Sequence, residues 1–378
     1  YLVFESDAED LRDNDGNALR DIFVRDLASG VTTLISVTPD GVSADADSYS
    51  ADISDDGRFI TFVSSATNLI RGEVVDNGFP DVYLRDRDVD GNGVFDEPGE
   101  LASRTFLLSR GFAEDGTPEF GNFQSGGDFP VDSALRPVIS GDGSTVVFGS
   151  KASNLIDPTS GADVNVGGED IFAVITTNVT KREVVTLNLE GRDTGVGFYG
   201  EGEAEMFAVS RDGSVIVFQS RFSDIADTED EPLSRQIFVR SSKTERISEN
   251  TVGIGGVLDS RESVISRDGR HVAFVSPSAN LVEGDENSAN DVFVFDRETE
   301  LLTLVSRSAD PLSTSVSGNA ASASSGSPTI RQYSLSISDD GRFVSYSSLA
   351  TDLVAAVEGT TTSDVPGTPD IFVFDRDA

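Results

Sequence analysis

The stretch Asp86-Arg87-Asp88-Val89-Asp90-Gly91-Asn92-Gly93-Val94-Phe95-Asp96-Glu97 carries oxygen-bearing side chains at alternate positions, a Gly at the sixth and a Glu at the twelfth. This is the spacing with which an EF-hand-like loop wraps one calcium ion in about six to eight hard oxygens. In one register Asp86, Asp88 and Asp90 supply carboxylates, Asn92 a backbone carbonyl and Glu97 a bidentate carboxylate. A second register starts at Asp88 and uses Asp90, Asn92, the Val94 carbonyl and Asp96. Both stay open, as does a plain acidic turn. No helical pattern flanks the segment, so it is a loop and not an EF-hand domain.

A sparser form of the pattern precedes a recurrent Asp. Asp13, Asp15 and Asn17 precede Asp21, Asp163 and Asn165 precede Asp170, and Asp285 and Asn287 precede Asp291. Asp76 with Asp81, and Asp364 with Asp370, are reduced versions. The functional reading is one calcium ion per repeat, tying a long loop to the strand after it. The competing reading is an Asx turn whose Asp satisfies loop amides. Gln236 stands where the other copies have Asp, and no site is expected there.

Catalytic chemistry is thinly supplied. There is no Cys, hence no thiol nucleophile, disulfide or zinc–thiolate site. His271 is the only His, so any Ser-His-Asp triad would have to use it. It aligns with Phe59 and Phe343 in the repeats described below, which makes it a packing residue of a sheet surface. Carboxylates are too abundant for one pair to stand out, so an Asp/Glu-based glycosidase or lyase stays open. Asn178-Val179-Thr180 is a lone glycosylation sequon, and Ser308–Pro328 is a Ser-, Ala- and Gly-rich loop.

Charge narrows the partners. The 378 residues hold 66 Asp and Glu against 28 Lys and Arg, a net charge of -38, and only three of the cations are Lys. Such a surface repels nucleic acid and does not dock on anionic lipid. No apolar run of about 18 residues offers a membrane span. The surplus suits a salty medium that screens self-repulsion, an extracellular setting in which carboxylates take up divalent ions, or simple solubility.

The elements that must hold these loops are read from repeats. Ser54-Asp55-Asp56-Gly57-Arg58, Ser140-Gly141-Asp142-Gly143-Ser144, Ser210-Arg211-Asp212-Gly213-Ser214, Ser266-Arg267-Asp268-Gly269-Arg270 and Ser338-Asp339-Asp340-Gly341-Arg342 recur at spacings of 86, 70, 56 and 72 residues. Each sits between short apolar runs, and Asp-Gly between such runs is a hairpin signal. A β-rich phrase follows each hairpin: Asp81-Val82-Tyr83-Leu84-Arg85-Asp86, Asp170-Ile171-Phe172-Ala173-Val174, Gln236-Ile237-Phe238-Val239-Arg240, Asp291-Val292-Phe293-Val294-Phe295-Asp296 and Asp370-Ile371-Phe372-Val373-Phe374-Asp375, with Asp21-Ile22-Phe23-Val24-Arg25-Asp26 as a further copy. A short strand such as Thr32–Ser36 or Leu302–Ser306 comes next. Leu69, Leu155 and Leu281, each after an Asn, read as plugs anchoring the loop behind strand b. Each unit is thus four strands, a to d, joined up and down, and repetition of such a unit predicts an all-β propeller.

Ser-x-Asp-Gly-Arg, an apolar strand and then Asp-Ile-Phe-Val-x-Asp together resemble the TolB-like or PD40 class of WD40-related bacterial β-propellers, along essentially the whole chain. The resemblance implies about six four-stranded antiparallel blades in one domain, 1–378, with blade segments at about 1–37, 48–109, 134–189, 205–248, 261–306 and 333–378. It implies little about function, because such propellers serve as binding platforms, structural modules and enzyme subdomains. The units are longer than the ordinary repeat, and the surplus lies in loops, where function would sit. Tyr1–Ser6 aligns with strand b and Phe372–Asp375 with strand c, so the first and last blades are incomplete and a fragment of a longer protein is expected.

The combined expectation is a noncatalytic, extracytoplasmic (periplasmic, cell-surface or secreted), calcium-stabilised propeller. It would present loops to a protein or a glycan, or act structurally in an assembly with other surface proteins. The alternative is the propeller domain of a hydrolase or polysaccharide-active enzyme.

Overall fold

The computed structural model describes residues 1–13, 15–97, 103–127, 135–156, 170–178, 182–184, 205–220, 234–309, 316–323, 335–354 and 368–377. The chain divides into two compact units, Tyr1–Gly213 and Ser214–Ala378. Among the described residues the only helical element is one 3₁₀ turn, Thr176–Asn178, and no helix is long and apolar enough to cross a membrane.

The first unit opens with a three-stranded sheet of β1 (Leu2–Ser6), β2 (Asp21–Arg25) and β3 (Thr32–Leu34). A four-stranded sheet follows: β4 (Ser48–Ile53), β5 (Phe59–Ser64), β6 (Asp81–Asp86) and β7 (Arg104–Leu107). The hairpin of β8 (Arg110–Phe112) and β9 (Pro118–Phe120) leads to the sheet of β10 (Val138–Ile139), β11 (Thr145–Ser150), β12 (Asp170–Ile175) and β13 (Arg182–Val184), and then to β14 (Glu205–Val209). The second unit contains β15 (Ile216–Ser220), β16 (Gln236–Arg240) and β17 (Thr244–Arg246). After them come a four-stranded sheet of β18 (Arg261–Ile265), β19 (His271–Ser276), β20 (Asp291–Asp296) and β21 (Leu301–Leu304), and a three-stranded one of β22 (Leu335–Ile337), β23 (Phe343–Ser348) and β24 (Asp370–Asp375). Each pairing is antiparallel and between consecutive strands, the meander of a propeller blade. The fold is the all-β propeller class that the repeats predict.

Strand period explains how each sheet serves two cores. In β5 and β6, Phe62 and Tyr83 face a cluster with Ile22, Val24 and Ile60, whereas Val63, Val82 and Leu84 face a second with Phe148, Phe172 and Val174. Successive side chains of a strand point to opposite faces, so a sheet buried on both sides is apolar nearly throughout. The aromatics oppose one another in register on strands b and c, as Phe62 does Tyr83 and Phe274 does Phe293, with ring centroids 5.7 and 5.6 Å apart.

The Ser-x-Asp-Gly phrase is a self-contained turn. Ser54 Oγ donates to Asp56 Oδ1 at 2.7 Å, Asp56 Oδ1 accepts from the Arg58 amide at 2.9 Å, and the Phe59 amide donates back to Ser54 Oγ at 3.0 Å. Ser266, Asp268, Arg270 and His271 repeat the set, as do Ser338, Asp340, Arg342 and Phe343. The Arg of the phrase then clamps the end of strand c. Arg58 grips Asp86 through two bonds of 2.8 and 2.9 Å, and Arg270–Asp296 and Arg342–Asp375 copy the bidentate geometry.

The Gly of the phrase has a second task. Gly57, Gly143 and Gly341 have φ of 79°, 72° and 71°, and a Cβ on any of them would enter the ring of Tyr1, Phe59 or His271 respectively. Those three side chains occupy one aligned position, the residue at the start of strand b in the preceding sheet. His271 is therefore a spacer between sheets: it is buried, its Nδ1 faces Gly341 without a hydrogen-bond partner, and burial lowers its pKa.

Gly341→Ala should destabilise the chain by about 2–3 kcal/mol, combining positive-φ strain with overpacking. In a His271→Ala background the same change should cost only about 1 kcal/mol, because the φ strain alone remains. Denaturant unfolding of the four proteins checks this, and equal costs in both backgrounds would remove the ring contact from the explanation. His271→Phe, which restores the residue found at Phe59 and Phe343, should change stability by less than about 1 kcal/mol.

Candidate metal sites in the blade loops

The 86–97 loop joins β6 to β7, as the sequence implies. Its residues sort into two groups. Asp86 is held by Arg58, and Asp96 Oδ2 by Arg87 Nε at 2.8 Å. Asp88, Asp90, Asn92 and Glu97 form the other group. Asp88 takes the Asn92 and Gly93 amides at 2.9 and 3.0 Å, and Asn92 Nδ2 donates to Asp90 Oδ2 at 3.1 Å and to Glu97 Oε2 at 2.6 Å. Gly91, Gly93 and Asp96, with φ of 70°, 83° and 56°, supply the bends. The register starting at Asp86 must share that carboxylate with Arg58, and the one starting at Asp88 must share Asp96 with Arg87. Among the described residues, no three His, Asp or Glu side chains converge as a ready-made metal cage.

The loops between strands b and c share one hydrogen-bond plan. Asp21, buried at the head of β2, accepts from Ser36 Oγ at one oxygen and from Asn17 Nδ2 at the other, 3.0 Å away. Ser36 Oγ in turn accepts from the Ile22 amide at 2.9 Å, and Asn17 Nδ2 also donates to the Ala44 carbonyl at 2.8 Å. Asp81 with Ser109 and Asn77 copies the plan, and Asp291 with Ser306 copies the serine half. Asn287 Nδ2 donates to the Gly318 carbonyl at 2.6 Å. The residue after each Asn has positive φ: Ala18 at 55°, Gly78 at 80° and Ser288 at 52°. Gln236 performs both parts with one neutral amide: its Oε1 accepts from Ser248 Oγ at 2.6 Å, and its Nε2 donates to the Gly256 carbonyl at 2.8 Å.

Two residues before the Asn, the blades differ. Asp15 and Asp285 stand there, both buried, and Val75 stands there in the second blade, packed in an apolar cluster with Leu69 and Tyr83. The residue paired with Asp81 in the sequence pattern, Asp76, is exposed, and so is Asp13. Asp170 is buried at the head of β12, but Asp163 and Asn165 lie outside the described residues, as do Asp364, Val179 and Thr180 of the sequon, and 310–315 and 324–328 of the Ser-rich loop. Burial pushes the Asp21 carboxyl up to about 6 against the hydrogen bonds from Ser36 and Asn17, with the charge of Asp15 adding to the rise. Burial takes Asp291 up to about 7 against the Ser306 bond, with the charge of Asp285 adding to it.

The plugs behave as expected. Leu69, Leu155 and Leu281 are buried, and Asn68, Asn154 and Asn280 accept the amides of Asp45, Asn122 and Val257. Sequence reasoning missed the strand-d Ser that partners each strand-c Asp. The constant signal was there: Ser36, Ser109, Ser248 and Ser306 each close the strand-d phrase. It also missed a polar cleft of about 580 Å³ beside the 86–97 loop, lined among others by Thr38, Arg71, Arg85, Arg104, Asp96 and Glu97.

No family model matches the chain, and no curated protein matches it. Solved structures similar to it include TolB from Acinetobacter baumannii, at TM-score 0.40 and 15% identity over 88% of this chain and 57% of that one. They also include the β-propeller domain of the Trilobed protease from Pyrococcus furiosus, at 0.43 and 10% over 94% and 74%, and the periplasmic gluconolactonase of Pseudomonas aeruginosa, at 0.35 and 13% over 86% and 71%. The chain thus spans little more than half the length of the TolB structure.

Asp81 offers a test of the buried-acid plan where no second acid occupies the loop position. Burial raises its carboxyl to about 6, against hydrogen bonds from Ser109 and Asn77 and the charge of Arg110. A folded pKa above the unfolded value means that this group's contribution to stability is full below about pH 4 and is lost as pH rises through about 6. Asp81→Asn should therefore gain on the parent between pH 4 and pH 7, by at most about 3 kcal/mol. Urea unfolding at the two pH values measures this, and an unchanged difference would show that the charge is not what the site opposes.

Proposed function

We propose that the chain is a noncatalytic, extracytoplasmic propeller whose loops are ordered by calcium and present a polar face to a protein or a glycan, alone or within a surface assembly. The observation that carries the reading is the 86–97 loop. Asp90 and Glu97 both accept from the Asn92 side-chain amide and Asp88 from the Asn92 backbone amide, while Asp96 and Glu97 line the adjoining cleft with Arg71, Arg85 and Arg104. An ion that drew the carboxylates together would fix one wall of that cleft. The cleft's guanidinium groups and hydroxyls suit a hydroxylated or acidic ligand better than an apolar one.

Asp86, Asp88, Asp90, the Asn92 carbonyl and Glu97, or Asp88, Asp90, Asn92, the Val94 carbonyl and Asp96, would hold the ion, which would supply charge neutralisation and bend-fixing and no reaction step. His271 supports the noncatalytic reading because its ring is spent as a spacer against Gly341. Extracellular calcium modules bind at about 0.1–1 mM, which matches a site with few ligands and an exposed loop.

The test is thermal unfolding in calcium, in chelator, and in sodium chloride at matched ionic strength, for the parent and Asp90→Ala. A site filled at about 100 times its dissociation constant stabilises by about 2.7 kcal/mol, and Asp90→Ala should lose that share of the calcium response. Equal responses from parent and variant would remove the loop site. A response that sodium chloride reproduces in full would replace calcium by screening.

A further inference from the structure

The strand-c Asp of these blades does not need its charge for the fold. Gln236 closes the same Ser hydroxyl and the same carbonyl with a neutral amide. Nor does the loop position two residues before the Asn need an acid, because Val75 fills it with apolar packing. Two blades nonetheless carry an acid at both places. Asp15 and Asp21 in one loop, and Asp285 and Asp291 in another, are all more than nine-tenths buried, with Asn17 donating to Asp21 and the Asn287 amide to Asp285.

The oxygens left over are the telling part. Asp285 Oδ1 accepts from Ser317 Oγ at 2.8 Å and Asp291 Oδ1 from Ser306, but Asp285 Oδ2 has no hydrogen-bond partner. Asp15 Oδ1 is equally without one. A buried carboxylate oxygen with no donor supplied costs several kcal/mol unless a cation occupies the space.

We propose that the pairs Asp15–Asp21 and Asp285–Asp291 each hold one divalent cation of calcium type, and that the equivalent places at Val75–Asp81 and Gln236 hold none. Two carboxylates balance the ion's charge. Loop carbonyls and water complete a shell that calcium tolerates because its geometry is loose. The ion staples the long b–c loop to the head of strand c. This site is separate from the 86–97 loop, so the two readings stand or fall apart.

The experiment counts calcium bound to the full 378-residue chain by equilibrium dialysis at neutral pH after chelator treatment, with calcium chloride as the probe. The parent, Asp90→Ala and Asp15→Val/Asp285→Val are compared, and far-UV circular dichroism checks folding. The valine pair copies what Val75 already does in the second blade. It should bind two ions fewer than the parent, while Asp90→Ala keeps both. A folded valine pair that binds as many ions as the parent overturns the proposal and leaves the carboxylates sharing a proton. Should the valine pair not fold, the isosteric Asp15→Asn/Asp285→Asn pair decides by the same count. If Asp90→Ala binds as much as the parent while the valine pair loses two, the 86–97 reading fails and this one stands.

Discussion

The contact on which the rest of the structure depends is the seating of one ring on one glycine. A blade must bury both faces, so the distance between neighbouring sheets has to be set at their tips. Tyr1 on Gly57, Phe59 on Gly143 and His271 on Gly341 set it, each glycine lying at positive φ where a side chain would be both strained and in the way. The tips are then joined by backbone hydrogen bonds from Asp55 to Gly141 and from Asp142 to Arg211 in the first unit, and from Asp268 to Asp339 in the second. Once the tip is fixed, the Arg beside the glycine reaches the end of strand c in its own sheet. That is why Ser-x-Asp-Gly-Arg and the closing Asp of strand c travel together through the sequence.

This economy has a consequence for the acidic residues. Asp86 and Asp296 read as ligands or surface charge in a sequence this acidic, yet each is committed to an Arg, and that Arg draws the Asp296 carboxyl well below its usual range. The surplus of carboxylates is therefore unequal in kind. Some are structural anions with dedicated partners, some are solvated, and a few are buried against one another. The last group creates a demand that the protein's own side chains do not fully meet.

The strand order and the blade pattern were legible because a period of two and an Asp-Gly turn leave few alternatives. Ser48–Ile53 pairs with Phe59–Ser64, and Phe59–Ser64 with Asp81–Asp86, in the registers that the apolar runs imply. The bulges at Ser50 and Glu262 were not legible, since they arise where strand a shifts register against strand b, and neither residue advertises positive φ. The loop sites were half legible. Spacing placed Asn17 beside Asp21, to which it donates a hydrogen bond, but it paired Asp81 with Asp76. A count of acids cannot tell which face of a loop is buried, and in the second blade the inward position belongs to Val75.

That inward position also separates two explanations for the charge of -38. Screening by salt acts on charges that water reaches, and its range is about 8 Å at physiological ionic strength. It can relieve the exposed carboxylates, which are most of the excess. Diffuse screening does little for Asp285 and Asp291, which are buried beside Ser306 and Ser317. Such a pair is relieved only by a proton or by an ion bound at that point. A halophilic surface and the proposed cation sites would thus draw on different aspartates of one chain.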